Sequence, residues 1–170
     1  MKPYRFSPIK SKGELFEAIK YTHFACFELC KKALGKYLSV AGNIGIFCHS
    51  KEEFEFLTKL GEELTDHNAP NFNGKYFLLH EPIVIKAKDD IPKTTYEYLY
   101  IRKPDEIRTE VGDIDFVIDK KEFEKVRKLG SINDVKIFDR PDLGMCGFSS
   151  SDFDVLSFLT TKTVAEVINN

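Results

Sequence analysis

The chain has 170 residues, with 25 Lys and Arg against 27 Asp and Glu for a formal net charge of −2, and 42% of its positions are hydrophobic. That is enough apolar sequence for one globular core, or for two small fused halves. The near-neutral balance excludes a phosphate-backbone binder, which needs a concentrated surplus of Lys and Arg.

No apolar run approaches the roughly 18 residues of a membrane span, and no apolar stretch follows the first five residues as a secretory signal requires. The expectation is a cytoplasmic protein with neither a membrane nor a nucleic-acid partner. Cys26, Cys30, Cys48 and Cys146 form no CxxC pair and are too sparse for a disulfide scaffold, which suits a reducing compartment.

Ser11-Lys12-Gly13-Glu14 has the form of a capping box and opens a helical pattern that runs to Gly35. Leu15, Ile19, His23, Cys26, Cys30 and Leu34 recur at steps of three and four, the signature of one buried stripe. A loop at Ser39-Val40-Ala41-Gly42 precedes a short strand over Ile44 to Cys48. A second helix follows over Lys51 to Leu60, capped by Ser50 and ended by Gly61. The polar stretches Thr65 to Gly74 and Lys86 to Pro92 read as loops.

Between those loops, Lys75 to His80 and Pro82 to Ile85 read as strands, or as one strand broken at Pro82, because proline cannot donate to a central ladder. Thr94 to Lys103 is the clearest strand, with Tyr96, Tyr98, Tyr100 and Arg102 on one face and Leu99 and Ile101 on the other. Asp113 to Ile118 is a strand leading into a helix over Lys120 to Leu129, capped by Asp119. Strands at Val135 to Phe138, Met145 to Phe148 and Val155 to Thr161 and a short helix at Val164 to Ile168 complete the chain.

The two strand-helix units resemble each other. Lys51 to Gly61 and Lys120 to Gly130 match at seven of eleven positions, and the strands before them align Ile44, Ile46 and Cys48 with Ile114, Phe116 and Ile118. Each copy then reads as strand, helix and three strands. The fold class expected is α+β: two tandem βαβββ modules forming a cupped mixed sheet, preceded by an N-terminal helical segment. Residues 1–40 form that extension and 41–170 the main domain, divided into 41–110 and 111–170. The apolar faces would meet the helices. The inward faces would carry Asn43, Tyr96, Tyr98, Tyr100, Arg102, Asp113 and Asp115, a lining of the kind small-molecule pockets use, although tyrosines also alternate on ordinary half-exposed sheets. Asp113 and Asp115 point the same way with about 7 Å between Cα atoms, a spacing that suits a shared cation, a coupled proton or a substrate amine, and equally a salt bridge with Arg102.

Four stretches carry a family likeness: Asn43 to Ser50, Glu81 to Ile85, Tyr98 to Pro104 and Gly112 to Ile118, with a fifth at Ser157 to Thr160 and Val164 to Ile168. Together they resemble the vicinal oxygen chelate superfamily of glyoxalases and extradiol dioxygenases, nearest its YecM-like branch. The resemblance implies paired βαβββ units and a cup that a homodimer can close. In the superfamily a divalent metal is held by His and Glu on inward strand positions and acts as a Lewis acid. Here those positions fall on Asn43, Tyr98, Asp113 and Leu159, of which Asp113 alone ligates well. The expectation is therefore a small polar ligand bound in the cup by Asn43, Tyr98, Tyr100, Arg102, Asp113 and Asp115, with no metal and no cofactor.

Two rivals stand beside it. One is a lyase, isomerase or dioxygenase with a non-standard metal set drawn from His49, His80, Glu97, Asp113 and Asp115. The other is a protein–protein interaction module using the sheet cup or the first helix. His23, Cys26 and Cys30 share a helical face, but one helix cannot complete a tetrahedral site, so they read as core. Cys48, before a helix N-terminus, is placed by the repeat on the apolar face rather than as a nucleophile. No dinucleotide, P-loop, zincin or hydrolase motif is present.

Overall fold

The computed structural model describes residues 4–68 and 74–168. Helix α1 (Lys12–Leu34) starts where the Ser11 hydroxyl accepts the Glu14 amide at 3.1 Å, and ends at Gly35, whose left-handed backbone (φ 72°) returns its N–H to the Lys31 carbonyl. The Glu14 carboxylate accepts from the Lys10 amide at 2.6 Å, one residue before the capping serine. The same variation recurs at the second helix, where Ser50 caps the Glu53 amide and Glu53 accepts from the His49 amide.

The remaining elements are β1 (Val40–Phe47), α2 (Lys51–Glu63), β2 (Thr65–Asn68), β3 (Gly74–Ile85), β4 (Thr94–Arg102), β5 (Gly112–Val117), α3 (Lys120–Val126), β6 (Ser131–Ile132), β7 (Val135–Arg140), β8 (Met145–Ser149), β9 (Leu156–Thr160) and α4 (Val164–Ile168). The strands form one open, cupped mixed sheet of nine in the order β2-β3-β4-β1-β5-β9-β8-β7-β6. In each half the first strand runs parallel to the last, β1 beside β4 and β5 beside β9. The halves join through the antiparallel pair β1–β5.

Alternation sorts each central strand into two faces. Ile44, Ile46, Leu99, Ile101, Ile114 and Phe116 join the main core with residues of α1, α2 and α3. Leu15, Ile19, Phe27 and Leu29 of α1 are fully buried there, at roughly 1.5–3 kcal/mol each. The opposite, concave face carries two smaller apolar clusters, Ala41 and Tyr98 against Val164 of α4, and Phe47 with Leu156 and Phe158. The short helix α4 thus lies inside the cup. Among the described residues, no helix is long and apolar enough to cross a membrane.

Three sequence readings of the elements need correction. Val40 to Gly42 belong to β1 rather than to a loop, and the pairing with β5 shifts register between Val40 and Ile44, where Gly42 takes φ 109°. Thr65 to Asn68 is an edge strand, which needs no apolar alternation; residues 69–73 of the same expected loop lie outside the described residues. Of the two readings of residues 75–85, the single strand broken at Pro82 is the one observed: its register against β4 shifts between Leu78 and Ile83, which absorbs Pro82 at an irregularity. The third correction concerns Gly61, which continues α2 instead of ending it. A Cβ there would stand 2.7 Å from the ring of Phe77, which is fully buried.

Gly61 and Gly130 align when the two helix sequences are matched but differ in space, since nothing lies within 4 Å of a Cβ added to Gly130. Gly61→Ala is expected to cost about 1–3 kcal/mol by overpacking, despite the better helix propensity of alanine, whereas Gly130→Ala should stay within about 0.5 kcal/mol. Urea unfolding of the two variants checks this contrast.

Candidate ligand pocket

The concave face holds a cavity of about 580 Å³. Its floor is β5, where Asp113 and Asp115, two residues apart, point into the cup and are 9% and 7% exposed. One wall is the pair Tyr76 and Tyr100, with ring centroids 4.7 Å apart. Opposite stand Phe47, Leu156, Phe158 and Met145, and α4 contributes Val164, Val167 and Ile168. The mouth is basic, with Arg102, Lys103, Arg108, Arg140 and Lys162.

The placement of Asp113 depends on its cross-strand partner, Gly45. A side chain at Gly45 would collide with the Asp113 carboxylate and crowd the Tyr100 ring. The bare backbone of Gly45 therefore makes the recess in which the carboxylate lies. Asp113 Oδ1 is buried with no hydrogen-bond partner. Asp115 accepts one hydrogen bond, from Asn43 Nδ2 at 3.0 Å. Burial, and secondarily the neighbouring Asp115 carboxylate, pushes Asp113 well above the usual carboxylate range. Burial pushes Asp115 up to about 6, against the opposing pull of the Asn43 hydrogen bond. Burial and the nearby carboxylates also raise Tyr76 and Tyr100, which stay protonated and available as donors at neutral pH.

A second buried carboxylate shows what structural use looks like. Glu53 is 2% exposed and accepts from Ser7 Oγ, the Ile9 amide and the His49 amide at 2.6–2.8 Å, tying the N-terminal segment to α2. Asp113 has no comparable set of donors.

The residues expected at the site separate as follows. Tyr100, Arg102, Asp113 and Asp115 line the pocket together. Asn43 lies beneath it as the donor to Asp115, and Tyr98 is packed beside it against Ala41 and Val164. Tyr96 is not in the cup. The register shift between β3 and β4 turns it to the helix side, where its hydroxyl lies 2.7 Å from His23 Nδ1 in the main core. Of the two alternatives for the acidic pair, the salt bridge with Arg102 is not formed. Arg102 pairs with Asp105 at 3.0 Å and lies over the Phe47 ring.

His49 is stacked on Tyr4, with Nδ1 2.7 Å from Ser7 Oγ and Nε2 3.0 Å from the Glu110 carbonyl, so both nitrogens are engaged away from the cup. His80 and Glu97 are exposed and do not line it. His23, Cys26 and Cys30 are core residues, and burial lowers His23 to about 4. Cys48 is buried with its thiol pushed up by burial, which suits packing rather than nucleophilic attack. The sequence reading missed Tyr76, Arg108 and Lys162. A signal was present: Arg108 and Lys162 follow β4 and β9, the corresponding last strands of the two halves.

The divalent metal implied by the resemblance does not fit these residues. Asn43 spends its amide on Asp115, Tyr98 is covered by α4, and Leu159 faces the main core on the other side of the sheet. No group of three or more His, Cys, Asp or Glu among the described residues is arranged to hold a metal ion.

No family model and no curated protein matches the sequence. A solved structure described as "Structural Genomics, Protein EC4020" is similar in fold, with a TM-score of 0.64 at 14% identity, over 99% of this chain and 97% of that one. At that identity the likeness concerns the fold alone.

The raised carboxylates set a pH dependence. A folded-state value above the unfolded one contributes stability below the unfolded pKa, and that contribution is lost as pH rises through the folded value. For Asp115 the window runs from about 4 to about 6. Asp115→Asn keeps an acceptor for Asn43 and removes the charge. It is expected to exceed the parent in stability by on the order of 2 kcal/mol at pH 7.5, with the gain vanishing near pH 4, as read from urea melts at the two pH values.

Proposed function

We propose that this chain is a vicinal oxygen chelate-type protein, near the YecM-like branch, that binds a small polar molecule in its sheet cup without the metal centre typical of that superfamily. The observation that carries the reading is the desolvated pair Asp113 and Asp115 on the floor of a cavity of about 580 Å³, a volume within the range of small-ligand sites. Two buried carboxylates with one internal donor between them cost stability. A ligand that supplies donors offsets that cost. The four unpaired, buried cysteines suit the cytoplasmic setting proposed with it.

A second reading has its own observation. Between α1 and β3 runs a groove that includes Phe16 and Val84, both exposed, and it offers a docking face to an interaction module.

Amide NMR during titration with a small polar fragment set separates the two. Shift changes concentrated on the cup-facing residues of β1, β4, β5 and β9 are expected. Changes confined to the α1–β3 groove, or none, would overturn the small-ligand reading. Calorimetric titration with Zn²⁺ and Mn²⁺ is expected to give no one-to-one isotherm at roughly micromolar affinity. A tight isotherm abolished by Asp113→Ala would restore the metal enzyme.

A further inference from the structure

The charges of the pocket are segregated by depth. Two of its acidic groups, Asp113 and Asp115, lie on the floor, nearly excluded from solvent, and form no ion pair with any described residue, while a third, Asp105, lines the mouth and is paired with Arg102. Its basic groups stand at the mouth, where the Arg102, Arg108 and Arg140 side chains retain 26%, 27% and 37% of their exposure and Lys103 and Lys162 are exposed. Each arginine spends part of its fork on a neighbouring carboxylate: Arg102 on Asp105, Arg108 on Glu110 and Arg140 on Asp142. Each guanidinium has five N–H donors, so donors remain for an incoming anion.

This arrangement discriminates among ligand charge types. A wholly anionic molecule reaching the floor would meet two carboxylates. A wholly cationic one would cross a mouth where five basic side chains outnumber the one lining acid, Asp105. A neutral apolar one would leave Asp113 Oδ1, already without a partner, buried for good. A molecule with a cationic end and an anionic end satisfies both levels at once. The floor also suits a cation by composition: Asp113 and Asp115 line the cavity beside the paired rings of Tyr76 and Tyr100, and an organic cation is attracted both to carboxylates and to aromatic faces.

We propose that the cup recognises a small zwitterion, with a protonated amine or guanidinium seated on Asp113 and Asp115 beside Tyr76 and Tyr100, and an anionic group held at the mouth by Arg102, Arg108 and Lys162. This rests on the reading of the cup as a small-ligand site and narrows it to one class of substrate.

The test uses the full chain and a chain-length series of ω-amino and ω-guanidino carboxylic acids, each run beside the amine or guanidine lacking the acid and the acid lacking the nitrogen. At least one zwitterion is expected to bind about tenfold or more tightly than either single-ended analogue. Asp113→Asn, with Asp115→Asn as a second isosteric variant, should weaken the zwitterion by roughly tenfold, the scale of a lost charge-assisted hydrogen bond, and leave the acid analogue nearly unchanged. Arg108→Gln should weaken the zwitterion and the acid and spare the amine.

Binding of the acids alone or of neutral polar fragments in the cup, undiminished in the aspartate variants, would overturn the zwitterion and leave the small-ligand reading standing. Binding of the amines as tight as that of the zwitterions would remove the role of the mouth and overturn it likewise. If nothing of any charge class shifts the cup-face amides, both readings fall.

Discussion

The site depends on one cross-strand contact, the Asp113 carboxylate lying over the bare backbone of Gly45 at the seam between the two halves of the sheet. The seam is the antiparallel pair β1–β5, and the parallel partners β4 and β9 flank it on either side. Whatever projects from the cup face of these four strands converges at the centre of the concave surface. Asp113 and Asp115 come from β5, Tyr100 from β4, Phe158 from β9 and Asn43 from β1. A larger residue at Gly45 would fill the recess, displace the carboxylate and press on Tyr100, so a single absent side chain shapes the floor.

The other face of the same strands explains why such a floor is tolerated. Ile44, Ile46, Ile114 and Phe116 are fully buried beneath it and join the same core as α1, so apolar burial and the backbone ladder together hold the strands in register. The carboxylates above are then positioned by strands that do not need them. Glu53 shows the opposite economy: its three donors bind the N-terminal segment to α2, and it has no cavity to serve. The contrast between a buried acid fully used by the fold and two that are hardly used separates structure from site here.

Much of the architecture was legible because it is local. Ser11, Ser50 and Asp119 each accept the amides that a cap should, and Gly35 stops α1 with the left-handed turn that glycine favours. The period-two faces of β1, β4 and β5 were legible too, and with them the convergence of Tyr100, Arg102, Asp113 and Asp115. What was not legible depends on distant partners. Gly61 looks like a helix stop until Phe77 is seen against it. Tyr96 keeps phase with Tyr98 in the sequence and loses it in space, because the strand opposite carries the extra residues around Pro82. Arg102 has an acid three residues away in Asp105, and that near partner displaces the bridge to β5. The basic mouth comes from loops and from opposite halves of the chain, which no periodicity links.

The central claim is that Asp113 and Asp115 are desolvated and held without an ion pair. Carbon-detected NMR titration of the aspartate carboxyl resonances measures this directly. The account predicts Asp115 titrating near 6 and Asp113 well above the ordinary 3.8, with the two curves mutually distorted as neighbouring acids require. Two independent transitions near 3.8 would contradict it, for they would place both carboxylates in water and leave the cup without its floor.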